Sequence, residues 1–329
     1  MKLRILYIVA LCVALVSCEK VNPQGIILAG TEVEDRVEMS RLYFDNHLED
    51  VVVLLVKGDY SFIVGADSHL TTDSGRLDEM LAIGLEHDDL FYAHLGDIAD
   101  TKAEYYVKLD AIYERAKQNY VDKYYDQVND FQYCRKDDPF QILMQYNEIE
   151  FPFFPVVGNH DITRNGWALW SNIFHSSFYE IDVIVDLGND DYAFDHLIFL
   201  DSASGTLGRR QIDLIREGVL DGEHDFYRNT FVFSHTNIFR PQFFEFASTF
   251  PREEQFFLLS QFKKWQTTAV FCGHVHTWDK RNYNGVDYIT LDTMCERERP
   301  EPGDYLVRTT VKAGGDVEYS NVRMNYSPK

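Results

Sequence analysis

The sequence has 329 residues, 45% of them hydrophobic and 15% aromatic, enough to bury a large core in one large α/β domain with insertions or in two domains. Its 31 Lys and Arg stand against 53 Asp and Glu, a formal charge of −22, and no basic run offsets that excess. Such a surface repels phosphate polymers, so DNA or RNA is not expected as a partner.

The chain begins MKLRILYIVALCVALVSCEK. A short basic start precedes an apolar stretch from Ile5 to Val16 that is too short to span a bilayer comfortably, the pattern of a secretory signal. Leu15-Val16-Ser17-Cys18 resembles the lipobox of bacterial lipoproteins. The resemblance implies removal of residues 1–17, lipidation of Cys18, and a lipid-anchored place in the bacterial cell envelope, on the periplasmic face or the outer membrane. An ordinary signal peptide with an incidental Cys18 is the weaker rival. Cys134, Cys272 and Cys295 remain in the mature chain. Three cysteines form no disulfide framework, although one bridge is open to them outside the cytoplasm. Cys272, in an apolar run, reads as a small core residue.

Residues 18–50 read as a tether followed by a short amphipathic segment, VEDRVEMSRLYF, with the regular domain over 51–329. From Tyr60 onward strands and helices alternate. SFIVGAD ends a first strand, and Leu77, Met80, Leu81 and Leu85 then recur at helical spacing. LFYAHLGD reads as a second strand, FFPVVGNHD as a third, DHLIFLDSA as a fourth, TFVFSHTN as a fifth and TAVFCGHVH as a sixth. Between the second and third lies an insertion at about 101–150. Tyr105, Leu109, Ile112, Tyr113, Ala116 and Tyr120 follow a helical period there, and QVNDFQYCRKDDPFQ is less regular. Packing is the favoured role for its tyrosines, with a minority free to line a cleft. NYNGVDYITLDTM and DYLVRTTVKAGGDVEYSNVRMN alternate apolar and polar residues around Asn-Gly and Gly-Gly turns, the mark of antiparallel hairpins.

Polar residues gather where the strands end. Asp67-Ser68-His69 and His274-Val275-His276 each place two ligating side chains at i and i+2, which face one way if the segment is extended. Taken singly, Asp-Ser-His reads as a turn, Asn159-His160-Asp161 as a polar loop and His235 as a satisfied buried histidine. Together the blocks D-x-H, G-D-x-x-D (Asp97, Asp100), G-N-H-D (Asn159, His160, Asp161), a lone His235 and G-H-x-H resemble, in order, the five blocks of the calcineurin-like metallophosphoesterases. The resemblance spans roughly residues 60–280.

That resemblance implies an α/β fold: a four-layer αββα sandwich of two mixed sheets flanked by helices, with a dinuclear metal site at strand-end loops. It implies that Asp67, His69 and His276 hold one divalent ion, that Asn159, His235 and His274 hold the other, and that Asp97 bridges them. Mixed nitrogen and oxygen donors suit divalent transition metals such as Mn, Zn or Fe. His160 would act on the leaving oxygen of a phosphate ester attacked by a metal-bridging hydroxide, with Asp161 as its orienting carboxylate. Asp100 would stand behind the ligands and hold the bridging loop. His94, on the second strand, reads as a core or supporting residue. His47, His87, His175, His196 and His224 lack motif context and default to surface or structural roles.

The reaction implied is hydrolysis of a small phosphate ester, diester or monoester, with a pyrophosphatase or nucleotidase acting on nucleotides as the alternative. A catalytically silent metal-binding lipoprotein is the rival from another class. It would be marked by a lost ligand or a replaced His160, and all those positions are filled.

Overall fold

The computed structural model describes residues 32–46, 53–73, 76–128, 151–218, 226–239 and 250–325. The lipobox at 15–18, the irregular part of the insertion at 129–150, and His47 and His224 lie outside the described residues. Among the described residues, no helix is long and apolar enough to cross a membrane.

Short apolar runs form the centre of a five-stranded sheet. Strands β2 (Tyr60–Gly65), β3 (Phe91–His94) and β4 (Phe153–Pro155) lie side by side and parallel, buried on both faces as covered parallel strands should be. The C-terminal hairpin, β11 (Gly303–Val311) and β12 (Val317–Met324), joins β2 in antiparallel register and completes the order β12-β11-β2-β3-β4.

The second sheet is seven-stranded. Across it lie β1 (Val53–Lys57), β5 (Tyr179–Gly188), β6 (Asp191–Leu200), β7 (Asn229–Ser234), β8 (Ala269–Cys272), β10 (Val286–Thr290) and β9 (Asp279–Tyr283). Strands β6, β7, β8 and β10 are parallel neighbours, while the β5–β6 and β9–β10 pairs are antiparallel hairpins. Both sheets are therefore mixed.

Period-2 alternation turns one face of each sheet toward the other. Phe62 and Phe91 stack at 4.4 Å, Phe233 stacks on Phe199 at 4.6 Å and on Phe271 at 5.3 Å, and Phe62 meets Phe231 edge-on at 5.3 Å. All six rings are fully buried. Each contributes roughly 1.5–3 kcal/mol of burial, so the loops at the strand ends spring from a firmly packed core.

Helices close both outer faces. Over the five-stranded sheet lie α2 (Leu77–Glu86), α3 (Ala103–Val128) and α5 (Gly166–Phe174), which pack Met80, Leu109, Ile112, Trp167 and Trp170 with Ile63 and Tyr92. Tyr105, Tyr106, Tyr113 and Tyr120 of the insertion join this core, so that stretch of α3 serves packing. Over the seven-stranded sheet lie α1 (Val33–Asn46), α6 (Gly208–Arg216) and α7 (Arg252–Lys264), which pack Val37, Leu214, Leu258 and Phe262 with Val232 and Val270. The result is the four-layer αββα sandwich.

Helix α1 is docked on the domain and does not stand before it. Val33 and Val37 enter the outer core, and the fully buried Arg36 guanidinium donates to both oxygens of the equally buried Asp201, at 2.8 and 2.9 Å. A buried cation of this kind is tolerable only because its charge and its donors are met together.

Candidate metal centre

Five parallel strands from the two sheets end at one edge of the sandwich. Asp67 and His69 follow β2, Asp97 and Asp100 follow β3, His235 follows β7, and His274 and His276 follow β8. Beyond β4, the short helix α4 (Asn159–Ile162) opens with Asn159, His160 and Asp161. Every ligand position read from the sequence therefore arrives at the same edge.

The H-x-H pair does not converge through strand alternation. His274 (φ 71°) and His276 (φ 50°) sit in a loop with left-handed backbone, as do Asp67 (53°), His69 (43°) and Asp97 (53°). Left-handed conformations at residues with a Cβ cost roughly 1–3 kcal/mol each and persist where the surroundings dictate them. The turn is also what lets the loops close up. A Cβ on Gly273 would lie 2.7 Å from Asp67 Oδ2, and one on Gly158 would strike the backbone nitrogen of Asp97.

Three groups of donors result: Asp67 with His69 and His276, Asp97 with His235 and His274, and His69 with Asp97 and His160. His69 Nε2 and His276 Nε2 are 3.3 Å apart, and His276 Nε2 lies 3.4 Å from Asp67 Oδ1. Asp97 Oδ2 is 3.8 Å from His69 Nε2 and 3.5 Å from His235 Nε2, while Asn159 Oδ1 is 2.9 Å from His235 Nε2. One carboxylate thus faces both halves of the site.

The hydrogen bonds behind these atoms test whether cations fit. His235 Nδ1 faces Leu95 O at 2.7 Å, a pure acceptor, so Nδ1 carries the proton and Nε2 presents a lone pair to Asp97. His69 Nδ1 donates to Asp100 Oδ1 at 3.1 Å, and His276 Nδ1 to Glu298 Oε2 at 2.6 Å. With Nδ1 engaged on each ring, the two Nε2 atoms are the ones left to meet each other and the carboxylate oxygens, with a proton or a cation between them. Converging lone pairs of mixed nitrogen and oxygen type are what a divalent transition metal requires.

The charges agree with that reading. Burial opposes ionisation of Asp97, but the neighbouring imidazoles, His235 foremost, favour its carboxylate whenever they carry a proton and hold the carboxyl well below the usual range. Burial likewise works against a charge on His276, yet Asp67 and then Glu298 push it up to about 11. A proton on His276 can satisfy the His69 and Asp67 lone pairs as a cation would, so an ion must displace it, the usual coupling of metal affinity to pH. Burial and then the neighbouring His235 push His274 down to about 4, which keeps it neutral and available as a ligand.

Two supporting carboxylates differ from the sequence reading. Asp161 does not orient His160: it is fully buried, and its oxygens accept the backbone N–H groups of Gly158 (2.8 Å), Ile98 (3.1 Å) and Ala99 (3.3 Å). As the third residue of α4 it turns back onto the start of its own helix, as acidic residues at that position do. The carboxylate beside His160 is Asp100, 3.7 Å from its Nδ1, and the same Asp100 oxygen also holds His69. His160 is 42% exposed, and its ring meets that of His69 edge-on at 4.6 Å.

The remaining residues take structural places. His94 is fully buried, its Nε2 3.1 Å from Ser68 Oγ, and burial pushes it down to about 3. Cys272 is buried, and that burial pushes its thiol up to about 12. His196 is buried between Asp182 (2.7 Å) and Glu180 (3.1 Å) on the outer face of β5 and β6, away from the strand-end loops. Sequence reasoning missed Glu298 and Arg297, which touch His276 and Asp100 respectively. They lie beyond the last motif block, in the charged run Glu296-Arg297-Glu298-Arg299, where only the alternation of sign hinted at pairing.

No protein-family model and no curated protein sequence matches the chain. Among solved structures, it is similar to one described as GAP50, the anchor in the inner membrane complex of Plasmodium, at 11% identity over 83% of this chain and 90% of that one, with a TM-score of 0.53. At this identity the likeness is one of fold. It also aligns with a dimetal phosphatase from Danio rerio (13% identity, 82% and 99% of the two chains, TM-score 0.41) and with PhoD (10% identity, 80% and 68%, TM-score 0.43). Fold and site together define the chain as a two-sheet α/β sandwich with a His/Asp centre able to hold metal at the edge where its parallel strands end.

Proposed function

We propose that this protein hydrolyses phosphate esters at a pair of divalent ions, Mn, Zn or Fe. The observation that carries the proposal is the position of Asp97, a single buried carboxylate between two sets of imidazole and oxygen donors. Asp67, His69 and His276 would hold one ion, Asn159, His235 and His274 the other, and Asp97 both. Bound there, two ions would supply Lewis acidity toward phosphoryl oxygens and would make water a stronger nucleophile near neutral pH.

The chain's own residues do the rest. His160, half-exposed at the mouth of the site, donates a proton to the departing oxygen. Asp100, within 3.7 Å of His160 Nδ1, keeps that imidazole oriented toward the mouth of the site. Asp161 holds the Gly158 and Ile98 backbone in place, which fixes where His160 begins. A phosphomonoester or diester of modest size suits this reading; nucleotides or pyrophosphates, cleaved by the same groups, are the alternative.

A panel of phosphomonoesters, phosphodiesters, nucleotides and pyrophosphates, assayed after metal stripping and reloading with Mn, Zn, Fe or Mg, tests the proposal. Turnover of at least one ester class, restored by a transition metal, is expected. Two bound ions with no turnover on any member would instead leave a catalytically silent metal-binding scaffold.

Attachment to the bacterial envelope through a lipidated Cys18 is part of the same proposal and rests on Leu15-Val16-Ser17-Cys18 alone. Cys18→Ala is expected to release the protein from the membrane fraction or to block its processing. An alanine variant that fractionates and matures like the parent would remove the anchor from the account.

A further inference from the structure

Residues 292–299, between β10 and β11, lie against one half of the metal centre. Thr293 Oγ1 donates to Asp67 O at 2.7 Å, and Met294 N to Ala66 O at 3.0 Å. Glu298 Oε2 accepts from His276 Nδ1 at 2.6 Å, and Arg299 Nη2 donates to His276 O at 3.1 Å. Arg297 Nη2 donates to Asp100 Oδ2 at 2.9 Å, while the other oxygen of Asp100 holds His69 Nδ1. Asp67, His69 and His276 are thus all steadied, directly or through one residue, by this single loop.

The other half is held differently. His235 leans on the Leu95 carbonyl, its backbone N–H is taken by Ser202 Oγ, and both groups are buried. The His274 backbone N–H is held by the buried Asp67 carboxylate at 2.9 Å. By contrast, Glu298 is 47% exposed and Arg297 is 54% exposed. The two halves therefore differ in what fixes their imidazoles: buried main chain, a hydroxyl and the Asp67 carboxylate on one side, and the exposed side chains of Glu298 and Arg297 on the other.

We infer that Glu298 and Arg297 are positioning residues for one ion alone, the ion of Asp67, His69 and His276, and that the 292–299 loop sets the affinity of that ion independently of its neighbour. Glu298 engages Nδ1 of His276 and fixes the rotation of its ring, so that Nε2 is the atom that points at the ion. Arg297 holds Asp100 where it does the same for His69. Outer partners of this kind are worth roughly 10–100-fold in metal affinity. The inference rests on the two-ion reading proposed above, and the test separates their failures.

The full mature chain is loaded with zinc, dialysed against graded chelator, and its ions per chain are counted. In Glu298→Ala, one ion is expected to leave at roughly 10–100-fold lower chelator strength than in the parent, while the second ion leaves as before. Glu298→Gln, whose amide oxygen can still accept from Nδ1, should recover part of the loss. Arg297→Ala should weaken the same ion. The assignment to a half is read from pairs of substitutions: Glu298→Ala should weaken the ion left in a His235→Ala background and leave untouched the ion left in His276→Ala. Because Glu298 is half-exposed, the thermal melt of the apo variant should fall only slightly, by the loss of one screened pair with His276. A parent that holds two ions and a Glu298→Ala variant that releases them identically, or releases both more easily to the same degree, overturns the inference and leaves the phosphoesterase proposal standing. A parent that holds no zinc overturns both.

Discussion

Asp97→Ala is expected to empty both halves of the centre and to abolish turnover. The side chain is 2% exposed, and one of its oxygens faces His69 Nε2 and His235 Nε2 together, so no other residue can replace it toward either set. Its other oxygen accepts the His160 backbone N–H at 2.7 Å, which gives the substitution a second effect. That N–H loses its partner in a half-buried position, at a cost of about 1–3 kcal/mol in stability. Elemental analysis of the purified variant, beside a thermal melt, reads both effects. Retention of one tightly held ion would mean that Asp97 serves a single site, and the bridging role would then be withdrawn.

The second large effect separates proton transfer from ligation at His160. This histidine groups with His69 and Asp97 closely enough to be a ligand, yet it is far more exposed than the other donors and stands beside the Asp100 carboxylate. If it is the acid, His160→Ala keeps both ions and loses roughly 10²- to 10⁴-fold in turnover on an ester with a poor leaving group. Nitrophenyl esters, whose leaving group needs less protonation, should lose much less. His274→Ala should instead lose metal and damage both ester classes alike. Equal losses for the two ester classes in His160→Ala, accompanied by a missing ion, would reassign His160 as a ligand.

The parts of this architecture that were legible in the sequence share a physical cause. Parallel strands buried on both faces must be short and apolar, and their polar residues are pushed to the ends. Asp67, Asp97, His235 and His274 therefore announce themselves by position as well as by type. The same logic found the two C-terminal hairpins from their glycine turns. It did not find β5, in which Glu180 and Asp182 face outward toward His196 and interrupt the apolar pattern. Helix α7 was equally silent: its sequence, REEQFFLLSQFKK, buries only Leu258 and Phe262 fully and leaves Phe256 exposed.

At the site, adjacency in sequence misled where local geometry ruled. Asp161 follows His160 directly, but a helical start carries its carboxylate back toward Gly158 and away from the neighbouring imidazole. Asp100 reaches His160 from a different strand, a relation that no spacing within either block expresses. Glu298 stands 22 positions from His276 and meets it only because β9 and β10 bring the chain back past β8. Such long-range pairs depend on sheet order and carry no local periodicity.

Were Cys18 to carry the proposed lipid, the docking of α1 would limit how far the body could stray from it. Arg36 clasps Asp201, and Val33 is already in the core, so the packed body begins by residue 33 and not at residue 51. About 14 residues reach at most ~50 Å when fully stretched, at roughly 3.3–3.6 Å per residue. A body so tied would sample a thin layer next to the bilayer. Its encounters would favour phosphate esters released at, or displayed from, that surface over those dispersed through the compartment.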